Sequence, residues 1–190
     1  MYTSSNAIVP GSISAIAQTS GKSIAEIFLG ADLIAIIDTS GSMGSRDSRD
    51  NLSRYDVACN ELATLQATMP GKVAVISFSD RAEFNPGGVP TFFGSGTDLA
   101  RALTFSKVAD VDGVRFVLIS DGEPNDQQEA LRVAATYKNR IDVIYVGPED
   151  RPDGRDFLTR LAKASGGRTV TASCAKELAT SVTNLLLNAG

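Results

Sequence analysis

Apolar residues along this chain come in short dense runs separated by polar stretches with a helical beat. Four runs are almost continuously apolar: 31–37 (ADLIAII), 72–78 (KVAVISF), 114–120 (VRFVLIS) and 141–146 (IDVIYV). Runs of that length predict strands buried on both faces, as in a parallel sheet. Between the first two, Tyr55, Ala58, Leu62, Leu65 and Met69 step by three and four and share one helical face. Ser53 and Asp56 have capping-box spacing at the start of that helix, with Arg54-Tyr55-Asp56 anchoring it, and Pro70-Gly71 end it.

The remaining elements follow the same alternation. Residues 83–92 carry Pro86, Gly87, Gly88 and Pro90, so any strand there is short and at an edge. Helices are predicted over 97–107, with Leu99 and Leu103 inward, and over 126–138. Residues 148–155 read as a polar loop, followed by a helix with Phe157, Leu158 and Leu161 and a short strand at 169–171. A final helix over 174–187 places Leu178, Val182 and Leu185 on one face. The sum is an α/β fold: a doubly wound, mainly parallel, six-stranded sheet with helices on both faces and one short antiparallel edge strand. The domain spans 31–190. Residues 1–30 form an N-terminal extension whose 11–28 segment is helical in pattern, with Ser23 and Glu26 as a second capping box and Gly30 as a stop. We expect it to pack on the domain; a docking helix for a partner is the alternative.

Composition narrows the chemistry. The chain has 190 residues, a size that suits one domain. It contains no His, so a Ser-His-Asp triad, a Cys-His dyad and imidazole metal ligands are all excluded. Cys59 and Cys174 form no C-x-x-C, and two reduced, partly buried thiols are expected. With 18 Lys+Arg against 22 Asp+Glu the net charge is −4, which argues against nucleic acid as a partner. No apolar stretch reaches the roughly 18 residues of a membrane span, and the first ten residues lack the basic and apolar regions of a signal peptide. A cytoplasmic protein without membrane contact is the expectation.

In a doubly wound sheet, ligands sit beyond the C-terminal strand ends, where the strand order reverses. Three loops fall there: Asp38-Thr39-Ser40-Gly41-Ser42 after the first strand, Gly94-Ser95-Gly96-Thr97 before a helix, and Asp121-Gly122 after a later strand. Together they bring two carboxylates and serine and threonine hydroxyls to one edge of the sheet. This all-oxygen set suits Mg²⁺, with Mn²⁺ or Ca²⁺ as alternatives, and disfavours Zn²⁺ or Cu²⁺. Each piece alone has a plainer reading: a Ser-rich loop, a helix N-cap at Thr97, a turn at Asp121-Gly122. All three in the right order after the right elements favour a metal site.

D-T-S-G-S after an apolar strand, G-T-D-L at a helix start and I-S-D-G after a later strand resemble a von Willebrand factor type A domain. The resemblance covers residue 31 to the C-terminus, with G-R-x-F-L at 154–158 and Gly166-Gly167 similar to bacterial members. It implies an intact metal-ion-dependent adhesion site at Asp38, Ser40, Ser42, Thr97 and Asp121. It also implies a protein partner that presents an Asp or Glu carboxylate to the metal, and a last helix able to slide. Prokaryotic relatives often act beside AAA+ ATPases, so an AAA+-associated complex is a candidate partner.

Weaker signals surround this site. Arg46, Asp47, Arg49 and Asp50 would rim it and could set partner specificity, or simply form a solvated loop. Gly21-Lys22-Ser23 is no phosphate loop, because Ile16 stands where the first glycine belongs. Glu123, Asn125 and Asp126 read as caps of the next helix, and Phe92 and Phe93 as core or sheet edge. Functionally, a non-enzymatic, cation-dependent binding module leads. A Mg²⁺-dependent hydrolase or phosphoryl-transfer enzyme is weaker, because Ser40 stands where an aspartyl-phosphate enzyme needs a second Asp and the site loops carry no Lys. An assembly protein with a purely stabilising metal is the third reading.

Overall fold

The computed structural model describes residues 7–47, 51–147 and 152–171. Its strands are β1 (Leu33–Asp38), β2 (Val73–Phe78), β3 (Ala82–Phe84), β4 (Arg115–Ser120), β5 (Ile141–Tyr145) and β6 (Thr169–Thr171). Its helices are α1 (Ile13–Ser20), α2 (Ile24–Phe28), α3 (Arg54–Thr68), α4 (Leu99–Ser106), α5 (Gln127–Ala134) and α6 (Pro152–Ala164). The strand order is β3-β2-β1-β4-β5-β6. All neighbours pair parallel except β3, which runs antiparallel to β2 at the edge.

That order places the reversal point at β1. The chain leaves β1 for β2 and β3 on one side and returns to β4 on the other. The C-terminal ends of β1 and β4 are therefore adjacent, with Ile37 opposite Ile119, and Asp38 and Asp121 stand at those two ends.

The continuous burial of β1 and β2 explains their unbroken apolar runs. Alternate side chains point to opposite faces. Leu33, Ala35, Ile37, Val73 and Val75 pack with Ala58, Leu62 and Leu65 of α3. Ile34, Ile36, Ile76 and Phe78 pack with Leu99, Leu103, Phe157 and Leu158 from α4 and α6. Each such side chain, fully buried, contributes about 1.5–3 kcal/mol, so the two cores hold the strand ends in fixed register.

Local signals act as the sequence predicts at several helix ends. Ser53 and Asp56 form a complete capping box on α3, as do Ser23 and Glu26 on α2. Gly21 takes a left-handed conformation (φ 69°) to close α1, which gives the Gly-Lys-Ser triplet a structural role. Upstream of α2, Ile13 is 1% exposed and joins the core, while Val9 N–H donates to Gly87 and Ser14 N–H to Pro86.

Two boundaries differ from expectation. The segment expected to be a polar loop to 155 is already helical at Pro152, where the fixed φ and absent N–H of proline suit the first turn. Helix α5 ends at Ala134 rather than near 138, and Asp110 holds the chain that follows by accepting from the N–H groups of Lys138 and Asn139. The helix expected over 174–187 lies outside the described residues.

Candidate functional site

The first loop is built by β1 and anchored from below. Asp38, the last residue of β1, is fully buried. Its Oδ1 accepts the N–H of Ser40 at 2.9 Å, and its Oδ2 accepts the hydroxyl of Ser120 at 2.6 Å. Thr39 turns away and donates its hydroxyl to the carbonyl of Phe78 on β2. A 3-10 turn over Gly41–Gly44 follows, pinned by Met43, which is 0% exposed in the core under α3. The result is a pair of serine hydroxyls, Ser40 and Ser42, with their Oγ atoms 3.1 Å apart.

The second loop is stitched to the first by backbone. Gly41 N–H donates to Ser95 at 3.0 Å and Gly94 N–H to Thr39 at 2.9 Å. Thr97 is buried, and it is not the N-cap of α4: Asp98 takes that role by accepting from Arg101 N–H. The hydroxyl of Thr97 is thus spared the capping duty that its position suggested. Two residues outside the motif fix its backbone. Asp80 accepts Gly96 N–H at 3.1 Å, and the Asn125 side chain accepts Thr97 N–H at 3.2 Å while Asn125 N–H returns to the Thr97 carbonyl at 2.9 Å. Of the expected caps of α5, only Asp126 caps it; Asn125 ties the third loop to the second.

The third loop carries Asp121, 5% exposed, and Gly122. Gly122 has φ 89° and packs so closely on α6 that an added Cβ would lie 2.4 Å from the carbonyl of Gly154. Only glycine fits there. This contact fixes Asp121 against the start of α6.

The electrostatics are uneven. Burial, and then the nearby charge of Asp121, push Asp38 up to about 6 from an ordinary 3.8, against the hydrogen bonds from Ser120 and Ser40. Asp121 Oδ1 is buried and has no hydrogen-bond partner among the described residues. Its Oδ2 accepts from Arg54 Nη1 at 2.9 Å. Arg54, 8% exposed, also pairs with Asp47 through both its Nε and its Nη2. Burial pulls the Arg54 pKa down, but the Asp47 hydrogen bond and the charges of Asp121 and Asp47 raise it overall. The expectation that Arg54 serves only to anchor the helix start is therefore corrected. The Ser53–Asp56 box caps α3, and Arg54 reaches across to the third loop.

Asp38, Ser40 and Ser42 stand together, Asp121 is close enough to perturb Asp38, and the loop carrying Thr97 is hydrogen-bonded to theirs. Among the rim candidates, Arg46 is exposed and donates to the carbonyl of Asn51, and Asp47 is drawn in by Arg54. Arg49 and Asp50 lie outside the described residues. Phe92 packs edge-on against Tyr55, and the Arg81 guanidinium sits 4.2 Å from the centre of the Phe93 ring. No group of three or more His, Cys, Asp or Glu side chains gathers among the described residues, so any cation here depends on hydroxyls. The donor set fits a hard cation: two serine oxygens in contact and a buried carboxylate oxygen with no donor. Neither Ser120 nor Arg54 was expected to act at the site: Ser120 is the serine of the I-S-D-G stretch, where a hydroxyl at the last position of a buried strand was the available signal, and Arg54 lies on α3, outside the three motifs.

The architecture matches solved structures. A von Willebrand factor type A protein from Catenulispora acidiphila superposes with a TM-score of 0.56 at 19% identity, over 78% of this chain and 40% of that one. The fold is von Willebrand factor type A-like. Three N-terminal domains of the type V pili tip protein Mfa5 from Porphyromonas gingivalis give 0.59 at 14% identity, over 80% of this chain and 48% of that one. Proximal thread matrix protein 1 from the mussel byssus gives 0.53 at 17% identity, over 82% and 44%. The chain thus spans less than half the length of each of these neighbours. No protein-family model and no curated protein matches it. Among the described residues, no helix is long and apolar enough to cross a membrane.

Proposed function

We propose that this type A-like domain is a non-enzymatic protein-interaction module that captures an Asp or Glu carboxylate of a partner protein through a divalent cation. Mg²⁺ is the preferred ion, with Mn²⁺ or Ca²⁺ able to replace it. Ser40, Ser42 and Thr97 would hold the ion by their hydroxyls, and Asp38 and Asp121 would act behind them. When bound, such an ion supplies an open coordination position that a carboxylate can fill.

The observation that carries this reading is Oδ1 of Asp121, a buried carboxylate oxygen with no hydrogen-bond partner among the described residues. Buried polar atoms are rarely left unsatisfied without a reason. Here the orphan sits near a second buried carboxylate, Asp38, at the reversal point of the sheet. Each residue has a defined part. Asp38 orders the first loop by accepting Ser40 N–H, which turns the two serine hydroxyls towards each other. Asn125 and Asp80 hold the Thr97 loop. Two solved neighbours, a thread matrix protein and a pilus tip protein by name, are in keeping with a binding role rather than a catalytic one. We place the protein in the cytoplasm as part of the same proposal.

Calorimetric titration with Mn²⁺ tests it. The wild-type chain should bind one ion, and the Ser40→Ala, Ser42→Ala double variant should lose that binding while keeping its circular dichroism spectrum. A wild type that takes up no divalent cation at millimolar concentration, or a double variant that binds as well as wild type, would overturn the reading.

A further inference from the structure

We infer that Arg54 sets the charge of this site and positions Asp121, and that it thereby makes a cation held there selective for an anionic partner group over a neutral one. The inference rests on the metal-binding reading above and goes further, because Arg54 belongs to none of the three motif loops. Three observations carry it. Arg54 is almost fully buried although it stands in the first turn of α3. Its Nη1 takes Oδ2 of Asp121 at 2.9 Å and leaves Oδ1 of that carboxylate without a partner. Its other nitrogens hold Asp47, whose side chain is 46% exposed.

The charge balance follows. Asp38 and Asp121 together would neutralise a divalent ion. With the buried guanidinium on Asp121, the site keeps about one net positive charge after the ion binds. Asp47 returns part of the balance, but its half-exposed carboxylate is screened by solvent. A carboxylate is then favoured at the open position over an amide or hydroxyl of the same shape. The geometry also holds Asp121 by one oxygen only, which commits Oδ2 to Arg54 and reserves Oδ1. Removing the guanidinium raises the affinity for the cation and lowers the affinity of the loaded site for a carboxylate. A purely structural role predicts the reverse for the cation, because Asp121 would lose its support.

The test uses the full chain at pH 7.5, with Mn²⁺ followed by electron paramagnetic resonance. Acetate is then titrated onto the Mn²⁺-loaded protein, and its displacement of bound water is followed by proton relaxation. Arg54→Gln should bind Mn²⁺ about tenfold more tightly than wild type and take acetate about tenfold more weakly. Arg54→Lys, which keeps the charge, should stay within about threefold of wild type on both counts. A folded Arg54→Gln that binds Mn²⁺ no better than wild type, or takes acetate equally well, overturns the inference and leaves the metal-binding reading standing. If Arg54→Gln does not fold, Arg54→Lys decides: a change of about tenfold in either affinity overturns it. A wild type that binds no Mn²⁺ overturns both.

Discussion

The hydroxyl of Ser120 donates to Oδ2 of Asp38 at 2.6 Å and joins the last residue of β4 to the last residue of β1. The same oxygen accepts Gly122 N–H at 3.0 Å, so one serine ties together the first and third loops of the site. Ser120→Ala leaves a buried carboxylate oxygen without its donor. Such a loss costs about 1–3 kcal/mol. The expected result is a lower urea midpoint with an unchanged slope. An unchanged midpoint would show that Asp38 finds another donor at no cost.

Asp38 also makes stability depend on pH. Burial, followed by the charge of Asp121, pushes its pKa up to about 6 from 3.8. Between those values the folded chain holds a proton that the unfolded chain has released. Folding is therefore favoured at the acid end. The cation-free protein loses up to about 3 kcal/mol from this group as pH rises from about 4 to about 6, and the contribution is level outside that window. Asp38→Asn removes the titration, so the difference between wild type and variant isolates it. Urea midpoints in EDTA at pH 4, 5, 6 and 7 should show wild type falling relative to Asp38→Asn across the window. Added Mg²⁺ stabilises the ionised form and should flatten the fall. A difference that rises with pH in EDTA would contradict the assigned burial.

How much of this was legible in the sequence follows from where each contact lies along the chain. Strand runs such as 72–78 were legible because a strand buried on both faces is apolar almost throughout, its one buried hydroxyl, Ser77, being satisfied by Asn85. Helix starts at Ser23 and Ser53 were legible because a capping box is closed within four residues. The sequence motif named the three loops, and strand order then explains why Asp38 and Asp121 meet. The rest depends on contacts that no local pattern encodes. Arg54 reaches a carboxylate 67 positions away, and Asn125 reaches a threonine 28 positions away. Pro152 was read as part of a loop, although a proline can equally open a helix, as it does here.

Gly122 predicts a backbone effect that a second glycine can calibrate. Gly113 has φ 86° with nothing within 4 Å of an added Cβ, so Gly113→Ala pays only the left-handed strain, about 1–2 kcal/mol. Gly122 has nearly the same φ, 89°, but its added Cβ would lie 2.4 Å from a backbone oxygen of Gly154. Gly122→Ala must therefore move the third loop or α6. Its loss of stability should exceed that of Gly113→Ala by at least about 1 kcal/mol, and Mn²⁺ affinity should fall in Gly122→Ala alone. Equal losses in the two variants would mean that the contact with α6 yields freely.

Cys59 offers a chemical probe of α3, the helix that carries Arg54. Burial raises its thiol to about 11 from 9.0; hydrogen bonding with the Tyr55 side chain opposes the rise, and the charge of Asp56 adds to it. Two units at fixed pH reduce the thiolate, the reactive form, by about a hundredfold. Iodoacetamide at pH 8 should therefore modify Cys59 in the folded chain at least about a hundredfold more slowly than in urea, with modification read peptide by peptide to separate it from Cys174. Burial blocks access as well as ionisation, so the two causes must be divided. Raising the pH to 10 restores thiolate without opening the core. If ionisation dominates, the folded rate climbs steeply between pH 8 and 10 while the unfolded rate levels off near 9. A folded rate that stays flat over that range would assign the protection to steric burial instead.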